Sequence, residues 1–208
     1  MTIADPYDEL KEQGAAAKKR LEEDSAGARM AVLKDDGLYR HLRFELPRAS
    51  WGGFQIITWP GTLVIDGGLG HWSFQRQDDM FALLRTTTDP VYWEQKFSLG
   101  SKQKAVVYAP ERAEAHIREA VRDRHPDLVD DIEESVFSRW SGESIETEAG
   151  MRAALARYEV ALGTVDAEQP LFDVHEWHLT RYDDWFLLAC HSMHWAVRQY
   201  DAALIPAC

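Results

Sequence analysis

The stretch Phe54–Leu84, FQIITWPGTLVIDGGLGHWSFQRQDDMFALL, decides how this chain is read. Phe54 to Trp59 and Thr62 to Asp66 are rich in β-branched and aromatic residues, and Trp59-Pro60-Gly61 separates them. Proline presets φ at the second position of a tight turn and glycine accepts the positive φ of the third, so the two runs read as a hairpin. Gly67-Gly68-Leu69-Gly70 reverses the chain again, and His71 to Phe74 forms a further short strand. Asp78 or Asp79 can cap a helix starting near Met80, where Met80, Phe81, Leu83 and Leu84 offer a broad apolar face.

Working outward toward the N-terminus, Leu38, Leu42, Phe44 and Leu46 are interrupted by Tyr39, His41, Arg43 and Glu45, the period of a strand buried on one face. Pro47 to Gly53 is a loop. The expected fold is therefore α+β: a small antiparallel meander of four to five strands over about residues 38–75, with residues 104–108 as a candidate extra strand, packed against several helices. Residues 1–30 read as a peripheral N-terminal helix with Pro6 in its first turn and Leu10, Ala17 and Leu21 as a thin apolar stripe. The whole of 1–208 is expected to form a single domain.

Toward the C-terminus, Val91 to Phe97 suggests one or two helical turns anchored by Tyr92, Trp93 and Phe97. Glu111 to Arg124 is an amphipathic helix, ended by His125-Pro126 because the residue before proline avoids the helical region. A second helix is expected over about Glu146 to Ala161, stopping at Gly163. Thr180-Arg181-Tyr182-Asp183 resembles a capping box, which would open a long hydrophobic C-terminal helix from about Arg181 to Ala203. Its residues Tyr182, Trp185, Phe186, Leu188, Ala189, Met193, Trp195, Ala196, Val197 and Tyr200 cover most of the circumference, so it should lie across the sheet or centrally in a helical layer.

The 208 residues carry a formal net charge of −12. That balance argues against binding bare nucleic acid or an anionic membrane, because both need a cationic face. Seven of those net charges fall between Asp127 and Glu148, where eight carboxylates meet one arginine, Arg139. Asp130, Asp131, Glu133 and Glu134 make this a candidate surface for a basic partner, against the plainer reading of a solvated helix face. Two cysteines, Cys190 and Cys208, are too few for a disulfide framework and suit a reducing compartment. There is no apolar leader and no run of about 18 apolar residues, so neither secretion nor a membrane span is expected.

Familiar catalytic motifs do not occur. The glycine run lacks GxGxxG spacing before a helix, no Walker ending GK[ST] is present, and no Gly-x-Ser-x-Gly elbow is found. His175/His178 and His191/His194 are pairs spaced i, i+3, which share a helix face and make weak candidates for a divalent ion; helix histidines more often serve as hydrogen-bonders. Eight tryptophans are scattered through the chain, and most should be core. Trp59 and Trp72, with Arg43, His71 and Arg76, form a candidate pocket for a ligand or partner at the sheet edge. No cofactor is implied.

Tyr39-Arg40-His41-Leu42-Arg43-Phe44, Thr58-Trp59-Pro60-Gly61, Phe74-Gln75-Arg76 with Asp79-Met80-Phe81, Tyr92-Trp93-Glu94-Gln95-Lys96 and the ending Trp195-Ala196-Val197-Arg198-Gln199-Tyr200-Asp201 resemble an uncharacterised family encoded by tailed bacteriophages and prophages. The resemblance spans most of residues 39–201. This chain departs from it at Gly67-Gly68-Leu69-Gly70, where the family carries an acidic residue and methionine. It also has a histidine pair at 191 and 194 that the family lacks. The resemblance implies an accessory protein in a bacterial host cytoplasm and brings no catalytic residues. Two readings follow: a non-enzymatic protein that binds a host or phage protein stoichiometrically, for example to inhibit a defence complex, or a small-molecule or nucleotide sponge or hydrolase with its pocket at the sheet edge.

Overall fold

A computed structural model describes residues 6–98, 104–137, 145–162, 172, 174 and 177–204. The chain is α+β, and it divides into two compact units. One comprises Leu10–Ala105 with Tyr182–Cys208 and holds the main sheet; the other comprises Val106–Arg181 with Met1–Glu9 and is mostly helical.

The sheet is an antiparallel meander of five strands in chain order: β1 Arg29–Asp36, β2 Tyr39–Glu45, β3 Gly53–Trp59, β4 Thr62–Gly67 and β5 Gly70–Gln75. Side chains alternate as the pleat requires. Leu42, Phe44, Phe54, Ile56, Leu63, Ile65, Trp72 and Phe74 are buried on one face. Tyr39, His41, Arg43, Gln55, Ile57, Trp59, Val64, Asp66, His71 and Ser73 occupy the other. Gly61 (φ +77°) makes the Trp59-Pro60-Gly61 turn, which is clasped from outside because its N–H donates to the Asp78 carbonyl at 3.2 Å and its own carbonyl accepts from Arg76 N–H at 3.0 Å. Gly68 is required by close approach: a Cβ there would collide with the Trp51 carbonyl.

Helices α1 (Pro6–Asp24), α2 (Met80–Leu84), α3 (Pro90–Glu94) and α7 (Asp184–Leu204) contribute to the core beneath the sheet. Asp79 caps α2 by accepting from Phe81 N–H, and Asp89 caps α3 by accepting from Val91 N–H. A stripe of α7, with Phe186, Ala189, Met193, Ala196, Val197 and Tyr200, is buried in one aromatic-rich core. Trp72 lies 5.3 Å from Phe186, and Phe81 meets Tyr200 edge-on at 5.4 Å. Polar ties fix the same layer: Arg85 holds Asp201 through two hydrogen bonds of 2.7 and 2.8 Å, and Tyr200 donates to Asp35 at 2.8 Å.

In the other unit, α4 (Pro110–Arg124), α5 (Val129–Ile132) and α6 (Glu148–Leu162) bury Ala113, Ile117, Val121, Ile132, Met151, Leu155 and Tyr158, joined by Val136 from the turn after α5. Between Pro126 and Phe137 the helix is broken into a 3-10 turn, α5 and a π-helical turn.

Two expectations are corrected. Residues 104–108 do not extend the meander; β6 (Val106–Tyr108) pairs with β7 (Thr180–Tyr182) in a separate two-stranded sheet, and the fifth strand of the meander is β1. Thr180 does not cap the C-terminal helix, because it lies in β7; the cap is Asp183, whose carboxylate accepts from Phe186 N–H at 3.0 Å. Trp140, His175 and Gly163 lie outside the described residues. No described helix is long and apolar enough to cross a membrane.

Candidate functional site

The pleat and register separate the five residues expected to share a pocket. Arg43 and His71 lie in one cross-strand row, Arg43–Gln55–Asp66–His71, about 14 Å apart across three strand spacings. Trp59 is four residues further along β3, roughly 13 Å from that row, at the end of the sheet where Arg76 also lies. Trp59 is 40% exposed. Trp72 is only 2% exposed and faces the core, donating its indole N–H to the Leu69 carbonyl at 2.9 Å.

On the outer face three of these residues, Gln55, Asp66 and His71, continue from His41 as one hydrogen-bonded chain that leaves Arg43 to the side. His41 Nε2–H donates to Gln55 Oε1 at 2.8 Å, Gln55 Nε2–H to Asp66 Oδ2 at 3.0 Å, and His71 Nδ1–H to Asp66 Oδ1 at 3.2 Å. The Gln55 hydrogen bond, then His71, hold the Asp66 carboxyl below its usual value. Beside this chain a shallow cleft of about 320 Å³ is lined by Arg43, Glu45, Gly53, Gln55, Asp66 and Gly67.

A larger groove of about 370 Å³ runs between α1 and α7. Its α7 wall is His191, His194, Trp195, Arg198, Gln199 and Ala202, spaced i, i+3, i+4, i+7, i+8 and i+11, one helical stripe opposite that of Phe186, Ala189, Met193, Ala196 and Tyr200. Its α1 wall is Lys18, Leu21 and Glu22. Gly14 thins α1 where the His191 ring approaches, and Ala17 and Leu21 bury the helix against the unit.

The groove's polar groups differ from those of the sheet row. His194 donates Nδ1–H to the Leu84 carbonyl at 2.8 Å, which fixes its tautomer and leaves Nε2 as an acceptor in the neutral ring. His191 is held below its usual pKa by burial, assisted by Lys18 and His194 and opposed by the Gly14 backbone and Glu22. Arg198 is exposed and forms no hydrogen bond or ion pair among the described residues. Lys18 pairs loosely with Glu22 at 4.0 Å, both exposed. Trp195 supplies a half-buried aromatic wall, its other contacts being Phe44 and Phe54. Among the described residues no cluster of three or more His, Cys, Asp or Glu is placed to hold a metal ion. His178 is exposed, and His175 lies outside the described residues.

Asp130, Asp131, Glu133 and Glu134 are all exposed on α5 and the π-helical turn. Glu133 is occupied by Arg118 at 2.6 Å, and Arg118 also holds Glu114 at 2.7 Å. The other three form no ion pair among the described residues. Cys190 is buried, and desolvation pushes its thiol well above the usual value, so it is a packing residue.

Sequence reasoning noticed His191 and His194 only as metal candidates and missed Lys18, Glu22 and Arg198 as members of one site. The available signal was the set of polar residues His191, His194 and Arg198, spaced i, i+3, i+7 along one face of a largely apolar helix. Comparison with protein families, curated proteins and solved structures finds no match to this chain.

Proposed function

We propose that this protein works by stoichiometric, non-enzymatic capture of a small organic anion bearing a planar ring, of the size of a mononucleotide, in the groove between α1 and α7. The observation that carries this reading is Arg198, a guanidinium with no hydrogen-bond or ion-pair partner among the described residues, at the rim of a cavity of about 370 Å³ that also holds two imidazoles and an indole. Small-molecule sites are concave, largely apolar and carry a few convergent polar groups, at volumes of roughly 300–1,000 Å³. Arg198 and Lys18 supply fixed cations for a phosphate or carboxylate, and guanidinium presents a fork that matches such groups. Trp195 and Leu21 offer apolar surface to a ring, and His194 Nε2 and Glu22 accept hydrogen bonds from ring amines or hydroxyls. The resemblance to a phage-encoded family supports a bacterial host cytoplasm as the setting, where such a protein would withdraw a nucleotide-like signal from a defence pathway.

A thermal-shift panel of nucleoside monophosphates, cyclic nucleotides, sugar phosphates and dicarboxylates tests the proposal. A captured ligand raises the unfolding midpoint, with stabilisation growing as RT ln(1 + [L]/Kd). The shift should shrink in Arg198→Glu, as a higher Kd requires. A flat response across the panel overturns the reading.

A second reading keeps the acidic surface as a docking site for a basic host or phage protein. It is favoured by Asp130, Asp131 and Glu134, exposed and without ion pairs among the described residues. Reversing all four charges at 130, 131, 133 and 134 should abolish capture of such a partner, and unaltered capture removes this surface from consideration.

A further inference from the structure

The two edges of the five-stranded sheet are finished differently. Beyond β5 the chain itself covers the edge: Gln75 N–H donates to the Lys96 carbonyl at 2.8 Å, Ser98 N–H to the Ser73 carbonyl at 2.9 Å, and Phe74 and Phe97 form an antiparallel bridge. Beyond β1, among the described residues, nothing pairs. β1 is eight residues long and exposed at every position but Met30. Val32 and Leu33 are each 48% exposed at its middle. A long open edge with apolar side chains is a template for another strand, because its unpaired N–H and C=O groups gain partners only by adding one.

The sequence of the strand, Arg29-Met30-Ala31-Val32-Leu33-Lys34-Asp35-Asp36, names the occupant. Read against itself in reverse it is complementary. With a two-fold axis between Val32 and Leu33, Arg29 faces Asp36 of the second copy, Ala31 faces Lys34, and the two apolar residues meet at the centre. Parallel pairing in register would instead set Arg29 on Arg29 and Asp36 on Asp36, like charges directly opposite, which is destabilising. An isologous two-fold contact is also the commonest way for identical chains to associate.

We infer that β1 pairs antiparallel with β1 of a second copy, joining two five-stranded sheets into one continuous sheet across a two-fold axis. The irregularity between Val32 and Lys34 in the pairing with β2, together with the Lys34 side chain, are the usual guards of an open edge. Here they restrict pairing to one register, because any slip takes Lys34 from small Ala31 and Arg29 from Asp36. Exposed ion pairs contribute little free energy, so backbone hydrogen bonds and the Val32–Leu33 contact hold the pair while the charges choose direction and register.

Sedimentation velocity of the full chain over a wide micromolar range tests this. The expected result is a concentration-dependent species of twice the chain mass, lost in Val32→Lys and weakened several-fold in Arg29→Asp and in Asp36→Arg. The double variant carrying both charge changes should recover dimerisation. Far-UV circular dichroism checks that each variant is folded. A monomer at every concentration overturns the inference, and so does a dimer that survives Val32→Lys or one that the double variant fails to restore.

Discussion

The outer face of the sheet and the α1–α7 groove both gather histidine, arginine and carboxylate side chains, yet they are different kinds of surface. On the sheet, His41, Gln55, Asp66 and His71 satisfy one another in a chain across four strands. In the groove, Arg198 has no partner among the described residues, and His194 spends one nitrogen on the Leu84 carbonyl and keeps the other. A polar group already bonded to its neighbour contributes to structure, and recruiting it to a ligand costs the bond it gives up. A polar group held in place but left open is pre-organised for binding at no such cost.

The largest effect concerns the buried side of that same sheet. Trp72→Ala removes a core indole and should lower stability by about 3–5 kcal/mol in urea denaturation, whereas Trp59→Ala, at an exposed strand end, should cost under ~0.5 kcal/mol. Equal costs would mean that the two tryptophans share a role. Next in size, Arg198→Glu should weaken capture of a panel nucleotide roughly 10- to 100-fold, the range expected for losing a hydrogen bond to a charged group. Arg43→Glu, beside the sheet row, should leave that affinity within a factor of about two; calorimetric titration of both variants separates the surfaces. Asp66→Asn removes the charge at the centre of the sheet row. It should cost about 0.5–1.5 kcal/mol of stability with the groove affinity unchanged.

The smallest effects are in pH. His191 and His116 both have pKa values depressed below 6.5, chiefly by burial. The unfolded chain therefore takes up protons that the folded chain resists, and stability falls as pH drops from 6.5 toward the folded values. Asp66 and Asp201 are depressed below 3.8 by their hydrogen bonds, so the stability they confer is present above 3.8 and is lost as pH falls further. Thermal midpoints should decline in two acid steps. The first should shrink in His191→Gln, and also when an anion occupies the groove, because a bound negative charge raises the His191 pKa.

The meander was legible because β2 to β5 alternate and their turns carry proline and glycine where positive φ or close approach demands them. β1 was not, because a strand exposed on both faces has no hydrophobic period to read. Thr180–Tyr182 looked like a helix cap because the sequence-local pattern competes with pairing to Val106–Tyr108, a contact over seventy residues away along the chain. Trp72 could have been assigned inward by parity alone, since it shares a face with Phe74 and opposes Ile65. The groove needed the facing of two helices far apart in sequence, which no local pattern of α1 or α7 contains. The residues quoted for the phage resemblance also do structural work: Asp201 anchors Arg85 and Tyr200 reaches Asp35, while Arg198 forms no hydrogen bond or ion pair among the described residues.

The most direct test of ligand capture in the groove is long-range ¹H–¹⁵N NMR of the histidine rings while nucleoside monophosphates and cyclic nucleotides are added. A binding nucleotide should shift the His191 and His194 ring nitrogens together, raise the His191 pKa, keep the His194 Nδ1–H in place and leave His41 and His71 unmoved. Silent His191 and His194 signals throughout, or shifts confined to His41 and His71, would contradict the assignment of the site.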